Sequence, residues 1–81
     1  MAQHFDGDRL KMARSVAGLT HARLASLLQI KNPNGVAAYP NKDAVARWEA
    51  GSRSPSGAWI LPALAGILGV EMADFYSAGG E

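Results

Sequence analysis

Stop and start signals for helices divide this sequence at short intervals. Gly18 can end a helix in a left-handed turn, and Thr20 is a favoured cap for the next. Asn32-Pro33-Asn34-Gly35 is a strong turn signal, Asn41 is another cap, and Gly51 and Gly69 are further stops. Between these marks apolar residues recur at helical spacing. Helix 1 is expected from about Asp8 to Ala17, with Leu10, Ala13, Val16 and Ala17 inward and Asp6 or Asp8 at its positive end. Helix 2 should run from His21 to about Gln29, burying Leu24, Ala25, Leu27 and Leu28.

Helix 3 should cover Lys42 to Ala50, anchored by Val45 and Trp48, with Lys42, Asp43, Ala46 and Arg47 on the opposite side. Helix 4 starts either from a Ser56 cap or only at Leu61, tolerating Pro62 in its first turn, with Trp59, Ile60, Leu64, Ile67 and Leu68 as bulk. A fifth short helix, Met72 to about Tyr76, adds Met72, Phe75 and Tyr76. His4 is expected in a disordered start and Ser77 to Glu81 in a flexible tail. The expected fold is all-α: five short helices in one domain, 1–81, with its core at about 7–76.

Composition agrees. Fifteen alanines let backbones approach closely, while four valines, three isoleucines and one threonine argue against a sheet-rich fold. With no cysteine there are no disulfides, thiolate metal sites or cysteine nucleophiles, which fits a reducing compartment. The opening MAQHFDGDRLK has no apolar signal core, and the longest uncharged run, Ser54 to Val70, is broken by Pro55, Pro62 and glycines. A soluble cytoplasmic protein is the expectation.

The formal net charge of +1 conceals an asymmetry. All eight basic residues lie between Arg9 and Arg53, where Asp43 and Glu49 are the only acids, a balance of +6; the remainder carries −5. This is either a polyanion-facing half or ordinary surface scatter. Catalysis has little support: there is no phosphate-cradling glycine loop, no His-x-x-x-His and no placed carboxylate pair. No metal, cofactor or small-molecule ligand is implied.

The run Arg14-x-x-x-Gly18-Leu19-Thr20-His21-x-x-Leu24-Ala25 resembles helices 1 and 2 of the Cro and phage-repressor class of helix-turn-helix proteins, the XRE or lambda-repressor-like family. Val45-Ala46-Arg47-Trp48-Glu49-x-Gly51-x-Arg53-x-Pro55 resembles that family's recognition helix and following turn. Leu61-Pro62-x-Leu64-Ala65-x-x-Leu68-Gly69-Val70, with Phe75 and Tyr76, resembles its helices 4 and 5. The resemblance covers roughly Gly7 to Tyr76 and departs in two places. About ten extra residues, Lys31 to Pro40, separate helices 2 and 3, and His21 stands where the family commonly has glutamine.

The resemblance implies a Cro-like, stand-alone transcriptional regulator that binds double-stranded operator DNA as a homodimer and blocks access to overlapping promoters. In that family's docking mode helix 3 enters the major groove, which makes Lys42, Asp43, Ala46 and Arg47 base-reading candidates. Arg47 suits guanine O6 and N7; Ala46 suits a thymine methyl; Lys42 suits guanine or phosphate. Asp43 would accept from a cytosine amino group or orient Lys42 or Arg47; a solvated face is the alternative for each. Thr20, His21, Asn41, Arg53, Arg23 and Lys31 are candidates for the DNA backbone.

The resemblance also implies a structural ion pair between Arg14 and Glu49. Trp59 is either core or, with Phe75 and Tyr76, a dimer contact. The long connection is a tolerated excursion, a DNA contact through Lys31 and the asparagines, or a subunit contact through Val36 and Tyr39. The competing functional reading is an antitoxin or protein-interaction module on the same fold, which should show apolar residues on the outer face of helix 3. Ala46 is the only one there.

Overall fold

The computed structural model describes residues 3–33, 39–55 and 58–78. Local chemistry sets most element boundaries. After β1 (Gln3–Phe5), the Asp6 carboxylate accepts a 2.9 Å hydrogen bond from the Asp8 N–H and caps α1 (Gly7–Val16). α1 closes through Ala17 into Gly18, whose φ of +73° only glycine adopts without strain. Thr20 Oγ1 accepts from the Arg23 N–H at 3.1 Å and starts α2 (His21–Lys31), two residues longer than expected. Asn41 Oδ1 accepts from the Ala44 N–H at 2.9 Å and starts α3 (Lys42–Ala50). α4 (Ile60–Leu68) has no side-chain cap; Pro62 sits in its first turn, and Gly69 ends it. The alternative Ser56 start lies outside the described residues.

The expected bundle of five helices is corrected here. Among the described residues there are four α-helices and a two-stranded antiparallel sheet. The segment expected as helix 5 is a single 3-10 turn, Met72–Phe75, closed by the Glu71 N–H on Asp74 Oδ2 at 3.1 Å. Four residues are too few for a stable α-helix, and at Tyr76 the chain extends into β2 (Tyr76–Ala78). β2 pairs with β1 in the register Gln3 with Ala78, His4 with Ser77 and Phe5 with Tyr76.

Two more expectations change with it. His4 belongs to a strand, its Nε2 lying 3.4 Å from Ser77 Oγ. Ser77 and Ala78, expected in a flexible tail, form the partner strand; residues 79–81 lie outside the described ones.

The core draws on every helix: Leu10 from α1; Leu24, Ala25 and Leu28 from α2; Val45 and Trp48 from α3; Ile60 and Leu64 from α4; and Phe75. Each large apolar side chain buried this way contributes about 1.5–3 kcal/mol before entropy is counted. The Phe5 ring lies 6.3 Å from both Phe75 and Tyr76, edge-on to the latter, so the strand pair covers one end of the core.

Two positions expected inward on α1 are exposed, Ala17 and Val16, the latter 84% accessible. Six residues beyond Leu10, Val16 lies about 240° round the helix, off the buried stripe. Gly7 is buried where α1 begins, against the carbonyl oxygens of Trp48 and Glu49 at the end of α3. No helix among the described residues is long and apolar enough to cross a membrane.

Candidate nucleic-acid interface

α3 is held by one face and presents the other. Val45 and Trp48 are fully packed, while Lys42, Asp43 and Arg47 are exposed and Ala46 is half-buried. Residues four apart share a side of a helix, so Asp43 and Arg47 stand together, as do Lys42 and Ala46. These are the four residues expected to read bases, and they occupy one connected surface. Past Gly51, the backbone N–H groups of Ser52 and Arg53 both donate to the Arg47 carbonyl, at 3.1 and 3.4 Å. That clamp seats the exposed Arg53 just beyond the helix end.

Glu49 faces the other way. Arg14 Nε donates to its Oε2 at 2.6 Å and Nη2 to its Oε1 at 3.1 Å, a two-point contact between α1 and α3. The third Arg14 donor, Nη1, binds the Leu19 carbonyl at 2.7 Å and so ties in the α1–α2 turn. Both side chains are largely buried, Arg14 13% and Glu49 6% accessible. Burial pushes the Glu49 carboxyl up, but hydrogen bonds from Arg14 and His21, with their charges, outweigh it and hold the group below the usual carboxylate range. The Glu49 contact correspondingly raises Arg14.

His21, expected at the DNA backbone, places its Nε2 2.9 Å from Glu49 Oε1. Ionised Glu49 only accepts, so Nε2 carries the proton and the half-exposed ring keeps Nδ1 as its other polar atom. Nothing in the local sequence announces this contact, because the two residues lie 28 apart.

The remaining candidates are distributed as follows. Thr20 and Asn41 each use their side-chain oxygen to cap a helix, yet both residues are exposed at helix N-termini. Arg23 is exposed on the first turn of α2, near Thr20, whereas Lys31 is exposed at its far end. Among the described residues the ion pairs are Arg9–Asp6, Arg14–Glu49 and His21–Glu49. Lys42, Arg47 and Arg53 therefore form no ion pair with any described residue.

Of Trp59, Phe75 and Tyr76, the possible dimer contacts, Phe75 has no exposed surface to offer. Phe75 is wholly buried, and Trp59 and Tyr76 are partly buried and packed on the core. Phe75 belongs to the interior because the 3-10 turn folds it under α1 and α4. In the long connection, Val36 lies outside the described residues and Tyr39 is 39% exposed. Tyr39 lines a depression of about 190 Å³ with Ala44, Arg47, Trp48, Arg53 and Ser54. No group of three metal-ligating side chains occurs among the described residues. In comparisons with protein-family models, curated proteins and solved structures, the chain matches none.

Proposed function

We propose that this chain is a sequence-specific DNA-binding transcriptional regulator that lays α3 in the major groove. One observation carries the reading: a helix locked into the core by Val45 and Trp48 presents Lys42, Asp43 and Arg47 outward, with Arg53 beyond its end. A rigid helix bearing unpaired cations suits base-edge hydrogen bonding flanked by phosphate contact. The sequence resemblance to Cro-like regulators supports the same assignment of roles.

At nine residues α3 spans about 13 Å, enough to read one half-site. Two copies on an inverted repeat double the base contacts, with half-sites about 34–36 Å apart. Selection of bound duplexes from a random pool at near-physiological salt tests the proposal. Enrichment of an inverted repeat is the expected result; binding that is sequence-blind and salt-sensitive overturns it.

A protein-interaction module, including an antitoxin, is the second reading. It is favoured by Met12 and Val16, 69% and 84% accessible and four residues apart on the outer face of α1. A sequence-blind outcome in the selection would shift the assignment to that face.

A further inference from the structure

The connection between α2 and α3 is pinned where it re-enters the fold. Pro40 is fully buried, and its carbonyl accepts from Gln29 Nε2 at 3.0 Å. The Tyr39 carbonyl accepts from Asn32 Nδ2 at 3.2 Å. Two side-chain amides thus hold the backbone of residues 39 and 40 against the end of α2. Tyr39, 39% exposed, lines the depression it shares with Arg47 and Arg53.

That depression has the chemistry of an anion site. Its lining residues are Arg47, Arg53, Tyr39 and Ser54 with the apolar Ala44 and Trp48, and there is no carboxylate among them. Neither arginine has an ion-pair partner among the described residues. At about 190 Å³ it holds the volume of several waters at about 30 Å³ each, room for a phosphate and part of its sugar. The Arg47 carbonyl accepts from the Arg53 N–H, which ties the Arg53 backbone to the end of α3.

We propose that this depression seats one backbone phosphate of the duplex per half-site, and that Tyr39 donates its hydroxyl to a phosphate oxygen alongside Arg53. The inference rests on the DNA-binding reading and extends it. Tyr39, at the α3 end of the connection, becomes part of the interface, and the phosphate held beside Arg47 sets the register of α3 along the groove.

The test uses the duplex selected by the full chain, with uncharged methylphosphonate substituted at one phosphate at a time. Binding is compared for the wild type, Tyr39→Phe, Tyr39→Ala and Arg53→Ala, with far-UV circular dichroism to establish that each folds. Tyr39→Phe should weaken binding about ten-fold per half-site, the scale of one hydrogen bond to a charged acceptor. Neutralising one phosphate per half-site should cost the wild type more affinity than it costs Tyr39→Phe or Arg53→Ala, each of which keeps only one of the two contacts. Of these variants only Arg53→Ala should flatten the salt dependence, by about one counterion per half-site.

Wild-type affinity in both Tyr39 variants overturns the inference and leaves DNA binding intact. So does a loss in Tyr39→Ala that no phosphate position relieves, which would make Tyr39 a prop for the fold. Failure of the wild type to select any duplex removes the DNA reading itself.

Discussion

Arg14 and Glu49, 35 residues apart, meet through two parallel hydrogen bonds of 2.6 and 3.1 Å and lock α1 to the recognition-helix candidate α3. The pair sits on the inner side of α3, with Glu49 two residues past the outward Arg47, so it fixes how α3 is presented. Removing the arginine leaves a nearly buried carboxylate with His21 alone and strips the Leu19 carbonyl of its donor. Arg14→Ala should cost about 3–5 kcal/mol, read as a fall in the urea midpoint at neutral pH. A loss under 1 kcal/mol would mean that solvent already screens the pair.

Glu49 also predicts an acid limb. Its folded pKa is depressed, so the unfolded chain takes up the proton first as pH falls. The stability it contributes is complete above the ordinary glutamate value of about 4.3 and disappears as pH drops through the lower folded value. Urea midpoints measured from pH 7 to pH 2 should fall less steeply below about pH 4.3 in Glu49→Gln than in the wild type. Parallel curves would assign the acid limb to other carboxylates.

Two glycines should respond in opposite directions. A methyl group on Gly7 would overlap the Trp48 and Glu49 carbonyl oxygens, backbone atoms that cannot swing aside. Gly7→Ala should destabilise by about 1–3 kcal/mol. Gly66 lies inside α4 with open space where its Cβ would stand. Gly66→Ala should stabilise by about 0.5–1 kcal/mol through helix propensity. Thermal melts of the two variants decide both.

Arg47→Ala should relax preference at one base pair per half-site, costing about 1–3 kcal/mol there while other positions keep their selectivity. Repeating the duplex selection with the variant reads this directly. An unchanged preferred sequence and affinity would mean that α3 does not enter the groove as proposed.

Much of the helical scaffold was legible in the sequence because its determinants are local. Thr20 and Asn41 cap the helices they precede, Gly51 ends α3 in the left-handed region, and the spacing of Val45 and Trp48 separates buried from exposed faces of α3. These signals act within one helical turn and read the same in any context. The outward placement of Lys42, Asp43 and Arg47 follows from the same periodicity.

The rest was decided by tertiary structure, since it depends on groups distant along the chain. The strands Gln3–Phe5 and Tyr76–Ala78 are three residues each, too short for an alternating pattern, and exist by pairing with one another. That pairing, with Phe75 drawn into the core, replaces the expected fifth helix. His21 turns to Glu49, Gly7 fits beneath the end of α3, and Tyr39 reaches the depression beside Arg47 and Arg53. Local propensity carries no term for a contact made across 28 or 35 residues; close packing of the folded chain supplies it.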